Sequence, residues 1–227
     1  MSAYILHLET ATKVCSVALS LDGVLKQLRE TREENYSHGE NLTVFIETVL
    51  QQEGIAADQL AAVSVASGPG SYTGLRIGVS TAKGLCYALS IPLIAVDSLL
   101  AIAQQAHAAY PEVNVIPMID ARRMEVFSAV YGPNGTVLKS ISADVIETDA
   151  YVAFEPFVAC GDGAEKLKET WSGRNGIIFR EDMLSSAAAQ CELAFGKYKS
   201  QAFEDLAYFE PFYLKDFVMT TPKAKLP

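Results

Sequence analysis

The sequence contains no run of about 18 uninterrupted apolar residues, the length a membrane-spanning helix needs. No membrane contact is expected. Four cysteines (Cys15, Cys86, Cys160 and Cys191) lie far apart, with no C-x-x-C pair. That spacing excludes the disulfide framework of a short secreted chain and the paired ligands of a zinc site. The four read as buried free thiols, which points to the cytoplasm. The three histidines, His7, His38 and His107, never stand four apart, so H-E-x-x-H and H-x-x-x-H metal motifs are missing. His7 is expected to pack within a strand and His38 to sit in the first turn of a helix. Basic charge is also scarce: 18 lysines and arginines face 27 acids, a net charge of −9. A protein that grips nucleic acid by itself carries a basic patch or stripe. Here the basic residues stand singly or in pairs, so any role on nucleic acid is expected to pass through a partner. The first residues have no basic n-region and are broken by His7, Glu9 and Lys13; they read as a strand and not as a signal peptide.

Half of the 227 residues are apolar and only 20% are charged, which suits a packed α/β core and excludes a disordered or collagen-like chain. Tyr4–Leu8, Val14–Leu21 and Val24–Arg29 read as a three-strand meander, with Asp22-Gly23 as the hairpin turn. Ser37-His-Gly-Glu40 has capping-box spacing. Leu42, Phe45, Ile46 and Val49 form one helical stripe, and Gly54 stops that helix. Leu60–Ala66 is a buried strand. A Gly-rich turn follows and opens a helix from Tyr72 to Leu89, and Ile91–Val96 is the next strand. The second half repeats the plan. Val113–Ile119 ends in Asp120 as Tyr4–Leu8 ends in Glu9, and Glu125–Tyr131, the turn Pro133-Asn-Gly135 and Thr136–Ile141 follow. Glu9 and Asp120 stand 111 positions apart, and Gly23 and Gly135 stand 112 apart. Phe157–Cys160, Gly161-Asp-Gly163 and a helical Ala164–Trp171 parallel the Gly-rich turn of the first half. A repeat of this length predicts two similar α/β lobes, residues 1–100 and 101–219. A closing helix Glu181–Lys199 is expected to pack on the first lobe, and a frayed tail is expected at 220–227.

Ser67-Gly-Pro-Gly-Ser-Tyr-Thr-Gly74 is open to two readings. Glycines at a strand-to-helix turn, with free amides behind them, suit a phosphate. They equally suit a tight turn that lets the helix pack on the sheet. The loop lacks the Lys-Ser or Lys-Thr of a Walker loop, and Thr73 stands where G-x-G-x-x-G needs glycine. Asp97 could mimic the ribose-binding acid of a dinucleotide fold, but three antiparallel strands precede this unit and argue against an oxidoreductase. A nucleotide cleft, if kept, would use Thr10, Gly68, Gly70, Ser71, Asp120, Gly161 and Gly163. Small residues Gly74, Gly78 and Ala82, with Leu75, Val79 and Cys86 beside them, let another helix approach closely. Together with Leu42, Phe45, Ile46 and Val49 they are the candidate partner interface. No catalytic Ser/His/Asp or Cys/His set can be assembled, and Trp171 reads as partial core.

Ser67-Gly-Pro-Gly-Ser-Tyr-Thr-Gly-Leu-Arg-Ile-Gly78, continued by Ser80-Thr-Ala-Lys-Gly-Leu85, closely resembles the bacterial TsaB (YeaZ-like) family. The family's usual form has Phe where this chain has Tyr72. The resemblance also takes in the opening strand, Asp120-Ala-Arg122, Gly161-Asp-Gly163 and Glu210-Pro-Phe-Tyr-Leu-Lys215. It implies a duplicated actin/sugar-kinase/Hsp70-like (ASKHA) fold. It further implies a non-catalytic subunit of the machinery that makes threonylcarbamoyladenosine beside the tRNA anticodon. Such a subunit pairs through its helices with a TsaD-like catalytic paralogue, is joined by a TsaE-like ATPase, forms a homodimer when alone, and meets tRNA only indirectly. The paralogue holds a metal through H-x-x-x-H; the corresponding segment here keeps only His38. The opening strand usually ends Ile-Asp-Thr and here reads Leu8-Glu9-Thr10, which displaces the carboxylate and weighs against a nucleotide-metal site. No cofactor is therefore expected. The enzyme alternatives are a residual ATPase of the same superfamily and, with less support, a glycoprotease-like metallopeptidase.

Overall fold

A computed structural model describes residues 2–32 and 38–215. Ser37 of the capping-box motif and the tail 220–227 lie outside them. The meander is β1 (Tyr4–Glu9), β2 (Val14–Leu21) and β3 (Val24–Arg32). There follow α1 (His38–Glu53), β4 (Leu60–Gly68), α2 (Tyr72–Leu89), β5 (Leu93–Asp97) and α3 (Ser98–Ala109). The second half holds β6 (Asn114–Asp120), β7 (Glu125–Tyr131), β8 (Val137–Val145), β9 (Phe157–Cys160), β10 (Ile177–Arg180) and α4 (Cys191–Lys199).

The strands form two five-stranded sheets, ordered β3-β2-β1-β4-β5 and β10-β9-β6-β7-β8. In each, the hairpin strands pair antiparallel and the later two strands add in parallel. Replacing β1 to β5 by β6 to β10 converts one sheet into the other, so the fold is a duplicated α/β fold. The central parallel strands are covered on both faces and are accordingly mostly apolar, with His7 of β1 and Ser64 of β4 as buried polar exceptions.

The helices are exchanged between the halves. On one face of the first sheet, Leu6, Leu8, Val17, Leu19, Val63 and Val65 pack with Leu42, Ile46 and Val49 of α1 and Val79 and Ala82 of α2. On the other face Ile5, Ala62, Ile94 and Val96 meet Ala194 of α4, which follows the second sheet in sequence. Conversely α3, which follows the first sheet, lays Leu99, Ile102 and Ala106 on Val115, Phe127 and Val158 of the second. Each fully buried Leu or Ile contributes about 1.5–3 kcal/mol, so this exchange welds the halves together.

Four expectations change. Ala164–Trp171 is a single 3-10 turn, Glu165–Leu167. Trp171 drops into the core against Phe157 and Tyr151 and donates Nε1–H to Glu147 O at 3.0 Å. Gly173 follows at φ 87°, which ends any helix. Trp171 is thus fully core, not partial core. The closing helix begins at Cys191, not at Glu181. Ahead of it the chain is committed to cross-lobe bonds: Ala187 N–H to Ser16 Oγ at 3.0 Å and Thr12 Oγ1 with Ser185 Oγ at 2.6 Å. Asp97 is no ribose acid in waiting: its carboxylate accepts the Leu100 amide at 2.8 Å and caps α3. All four cysteines are buried, and none of them forms a disulfide. Burial pushes Cys86 up to about 11 and Cys160 and Cys191 up to about 12. Among the described residues, no helix is long and apolar enough to cross a membrane.

Candidate functional site

The Gly-rich turn lies against the β1–β2 turn. Ser71 N–H donates to Ala11 O at 2.6 Å, and Thr10 Oγ1–H to Gly74 O at 2.8 Å. A Cβ on Gly70 would strike Ala11, one on Gly74 the Thr10 carbonyl, and one on Gly78 the Thr10 hydroxyl. The spacing of these glycines is therefore set by the close approach of a neighbouring turn. Gly68 takes φ 105°, a backbone state in which a side chain is strained. Its other neighbour is the segment after α4: Phe212 N–H donates to Ser67 O at 2.7 Å. Ser71 caps α2 by accepting the Gly74 amide at 3.3 Å.

The equivalent turn in the second half is closed in the same way. Gly163 N–H donates to Met118 O at 3.0 Å, and Asp162 Oδ1 accepts the Asp120 amide at 3.1 Å. The Asp120 carboxylate accepts the Arg122 amide at 3.0 Å and pairs with Lys166. Thr10, Gly68, Gly70 and Ser71 thus stand together in one half, and Asp120, Gly161 and Gly163 in the other. Asp162 is close enough to Glu9 to act on it electrostatically. Glu9 itself is fully buried. Its extra methylene lets the carboxylate curl onto its own turn, where Oε1 accepts the Ala11 amide at 2.8 Å. Burial pushes its pKa up to about 7. His38 is the first residue of α1 and is buried, with Nε2 bonded to Thr12 O at 2.9 Å. Among the described residues, no group of three His, Cys, Asp or Glu side chains gathers to hold a metal.

The ten candidate interface residues are placed otherwise than the pattern suggested. Leu42, Ile46, Val49, Gly74, Leu75, Gly78, Val79, Ala82 and Cys86 are buried inside the chain, and half-buried Phe45 packs on the same core. An apolar stripe on a helix marks the face turned to its own sheet. The outward face of α1 and α2 is a different set: Val44, 55% exposed, exposed Gly84 and Ala88, and Tyr87, 82% exposed. A Cβ on Gly84 would meet nothing within 4 Å.

Sequence reasoning gave no role to Arg76, Lys83 or Gln190. Lys83 Nζ donates to Ala207 O and Phe209 O at 3.2 and 3.1 Å. Arg76 lies 4.3 Å over the Tyr72 ring and donates to Tyr213 Oη at 3.3 Å; the two tyrosine rings are 4.8 Å apart. These contacts strap the Glu210–Lys215 motif along α2 and over the Gly-rich turn. Arg76 and Lys83 both fall inside the motif quoted above, which was the available signal. Gln190 had none.

A family model described as "TsaD: tRNA N6-adenosine threonylcarbamoyltransferase" matches residues 32–224. The chain belongs to this family. Within it, the resemblance is to the TsaB (YeaZ-like) branch. The tRNA threonylcarbamoyladenosine biosynthesis protein TsaB of Escherichia coli is 29% identical over 230 residues, covering 94% of this chain and 95% of that one. The protein of the same name from Haemophilus influenzae is 35% identical over 123 residues, which cover 54% of this chain and about half, 51%, of that relative. Among solved structures, YeaZ from Pseudomonas aeruginosa superposes with a TM-score of 0.77 at 26% identity, over 93% of this chain and 100% of that one. Component A of the Acidaminococcus fermentans (R)-2-hydroxyglutaryl-CoA dehydratase shares the fold alone: TM-score 0.52 at 12% identity, over 88% of this chain and 99% of that one.

Proposed function

We propose that this TsaB-like chain serves tRNA threonylcarbamoyladenosine biosynthesis as a non-catalytic subunit that docks onto a TsaD-like catalytic paralogue. The observation that carries this reading is how the two Gly turns are used. The Ser71 amide, a phosphate donor in a nucleotide-binding relative of such a loop, is already given to Ala11, and the Phe212 backbone lies across Gly68. Docking uses the outward face of α1 and α2, where Gly84 permits close helix approach and Tyr87 supplies an aromatic anchor. The same face pairs two copies when the paralogue is absent. The chain works in the cytoplasm, a TsaE-like ATPase joins the pair, and tRNA is held by the partners, in keeping with a net charge of −9.

Reconstitution tests the reading. Purified TsaD-like paralogue, TsaE-like ATPase, tRNA and the threonylcarbamoyl donor should yield modified tRNA only when this chain is added. Asp120→Ala, which removes the one exposed carboxylate of the two turns, should leave product formation within about twofold, since about 1.4 kcal/mol is needed for a tenfold change. A loss of two orders of magnitude with the fold intact would make the chain a participant in the chemistry. The rival ATPase reading predicts heat on titrating the isolated chain with micromolar ATP-Mg; our reading predicts none.

A further inference from the structure

The segment after α4 is held to α2 by Lys83. Arg76, Lys83 and Tyr87 stand seven and four residues apart on α2, so they share one row, and Tyr87 is the neighbour of Lys83 one turn on. The Lys83 ammonium gives two of its three N–H groups to main-chain carbonyls, Ala207 O at 3.2 Å and Phe209 O at 3.1 Å. The same turn is closed from within. Asp205 Oδ1 accepts the Ala207 and Tyr208 amides at 2.8 and 3.1 Å, and Phe209 N–H donates to Asp205 O at 2.8 Å. Ahead of the turn, Glu204 N–H donates to Leu93 O at 2.9 Å; beyond it, Phe212 N–H donates to Ser67 O at 2.7 Å. A surface turn can give such carbonyls to water. Here a lysine gives up its rotamer freedom to hold them, so the gain lies in fixing the turn against the helix.

Within the turn the apolar side chains divide. Leu206 and Phe209 pack on the core of the first sheet. Tyr208, between the two carbonyls that Lys83 holds, is 85% exposed. Tyr208 and Tyr87, 82% exposed, are the two most exposed large apolar side chains among the described residues. Lys83 links them, since it fixes the turn of one and neighbours the other on the helix. An aromatic ring held out in water on a pinned turn adds nothing to the fold of a lone chain. At an interface it supplies a large contact area at the cost of two torsions, with a hydroxyl for the polar rim.

We propose that Lys83 is a positioning residue for docking: it fixes the turn that carries Tyr208 beside Tyr87, and the two tyrosines together anchor the TsaD-like paralogue. The inference rests on the docking reading above and carries that face from the two helices onto the segment after α4. Tyr87 belongs to both parts, so the surface is continuous. Two tyrosine anchors fit a partner surface with shallow apolar pockets and hydrogen-bond acceptors at their rims. Lys83 makes no contact with the partner in this arrangement; it acts through Tyr208.

Titration calorimetry of the full chain with the purified paralogue tests this. Tyr208→Ala removes a side chain that is 85% exposed; it should keep the melting temperature and weaken the heterodimer about tenfold or more. Lys83→Met keeps the stem and loses the ammonium. It should free the turn and weaken the heterodimer by a similar factor, and Lys83→Arg, which still has donors for two carbonyls, should restore most of the affinity. The double variant shows whether Lys83 acts through Tyr208: Lys83→Met with Tyr208→Ala should bind about as weakly as either change alone. A wild type that pairs while Tyr208→Ala pairs equally tightly overturns the inference and leaves the docking reading standing. So does a double variant in which the two losses multiply. A wild type that does not pair with the paralogue overturns both.

Discussion

Glycines in this chain are used in two opposite ways, and a single methyl group separates them. Gly78 faces inward, where an added Cβ would press on the Thr10 hydroxyl and lie 3.5 Å from Val65 Cγ2. Gly84, six residues further along α2 and on another face, meets open space. Gly78→Ala should cost about 1–3 kcal/mol by overpacking. Gly84→Ala should gain about 0.4–1 kcal/mol by restricting the unfolded chain. Urea unfolding of the two variants reads both signs, and equal effects would mean that the inward and outward faces have been exchanged. At this scale the sequence was legible as far as residue type. Glycines at a strand-to-helix turn announce backbone that something approaches closely. They do not say whether a phosphate or the chain's own Ala11 does the approaching, because either needs the same missing Cβ. Glu9 was legible only as a longer acid in a turn. Its burial depends on Gln190, which lies 181 positions away.

Elements with a clear apolar pattern bounded by turn residues were read well, whether half-exposed like α2 or buried on both faces like β7 and β9. The bounds of α2, β7 and β9 are those the periodicity gave. α3 was not foreseen, since Leu99, Ala101, Ile102, Ala103 and Ala106 are buried on several sides between two sheets and leave no amphipathic stripe. β10 has four residues and pairs only with β9, too little pattern to stand out. Residues 181–190 carry helix-forming alanines, yet their backbone and hydroxyls are committed to the other half, a tertiary demand that overrides propensity. The cap of α3 is testable in isolation. Asp97→Ala leaves the Leu100 amide without its acceptor and should cost about 1 kcal/mol, and Asp97→Asn should restore most of it. If Asp97→Ala leaves the unfolding midpoint unchanged, the carboxylate has another task.

For the whole molecule, the duplication was visible from two turns spaced alike and is realised strand for strand in the two sheets. The exchange of α3 and α4 between the halves was not visible, because packing partners distant in sequence leave no mark on either segment alone. The same holds for the proposed docking face. Periodicity found the stripe that seals each helix to its own sheet; the exposed residues lie outside that stripe, among them Val44, Gly84 and Tyr87. The acidic surface and the absence of a basic stripe fit a subunit whose contribution is shape, with charge-driven contact to tRNA left to others.

The most direct test is to mix this chain with its TsaD-like paralogue and weigh the product by size-exclusion chromatography with light scattering. The wild type should form a heterodimer. Gly84→Arg, a change on the outward face where an added Cβ would meet nothing within 4 Å, should keep the melting temperature and abolish the heterodimer. A wild-type chain that stays apart from the paralogue, or a Gly84→Arg chain that pairs as well as the wild type, would contradict the account.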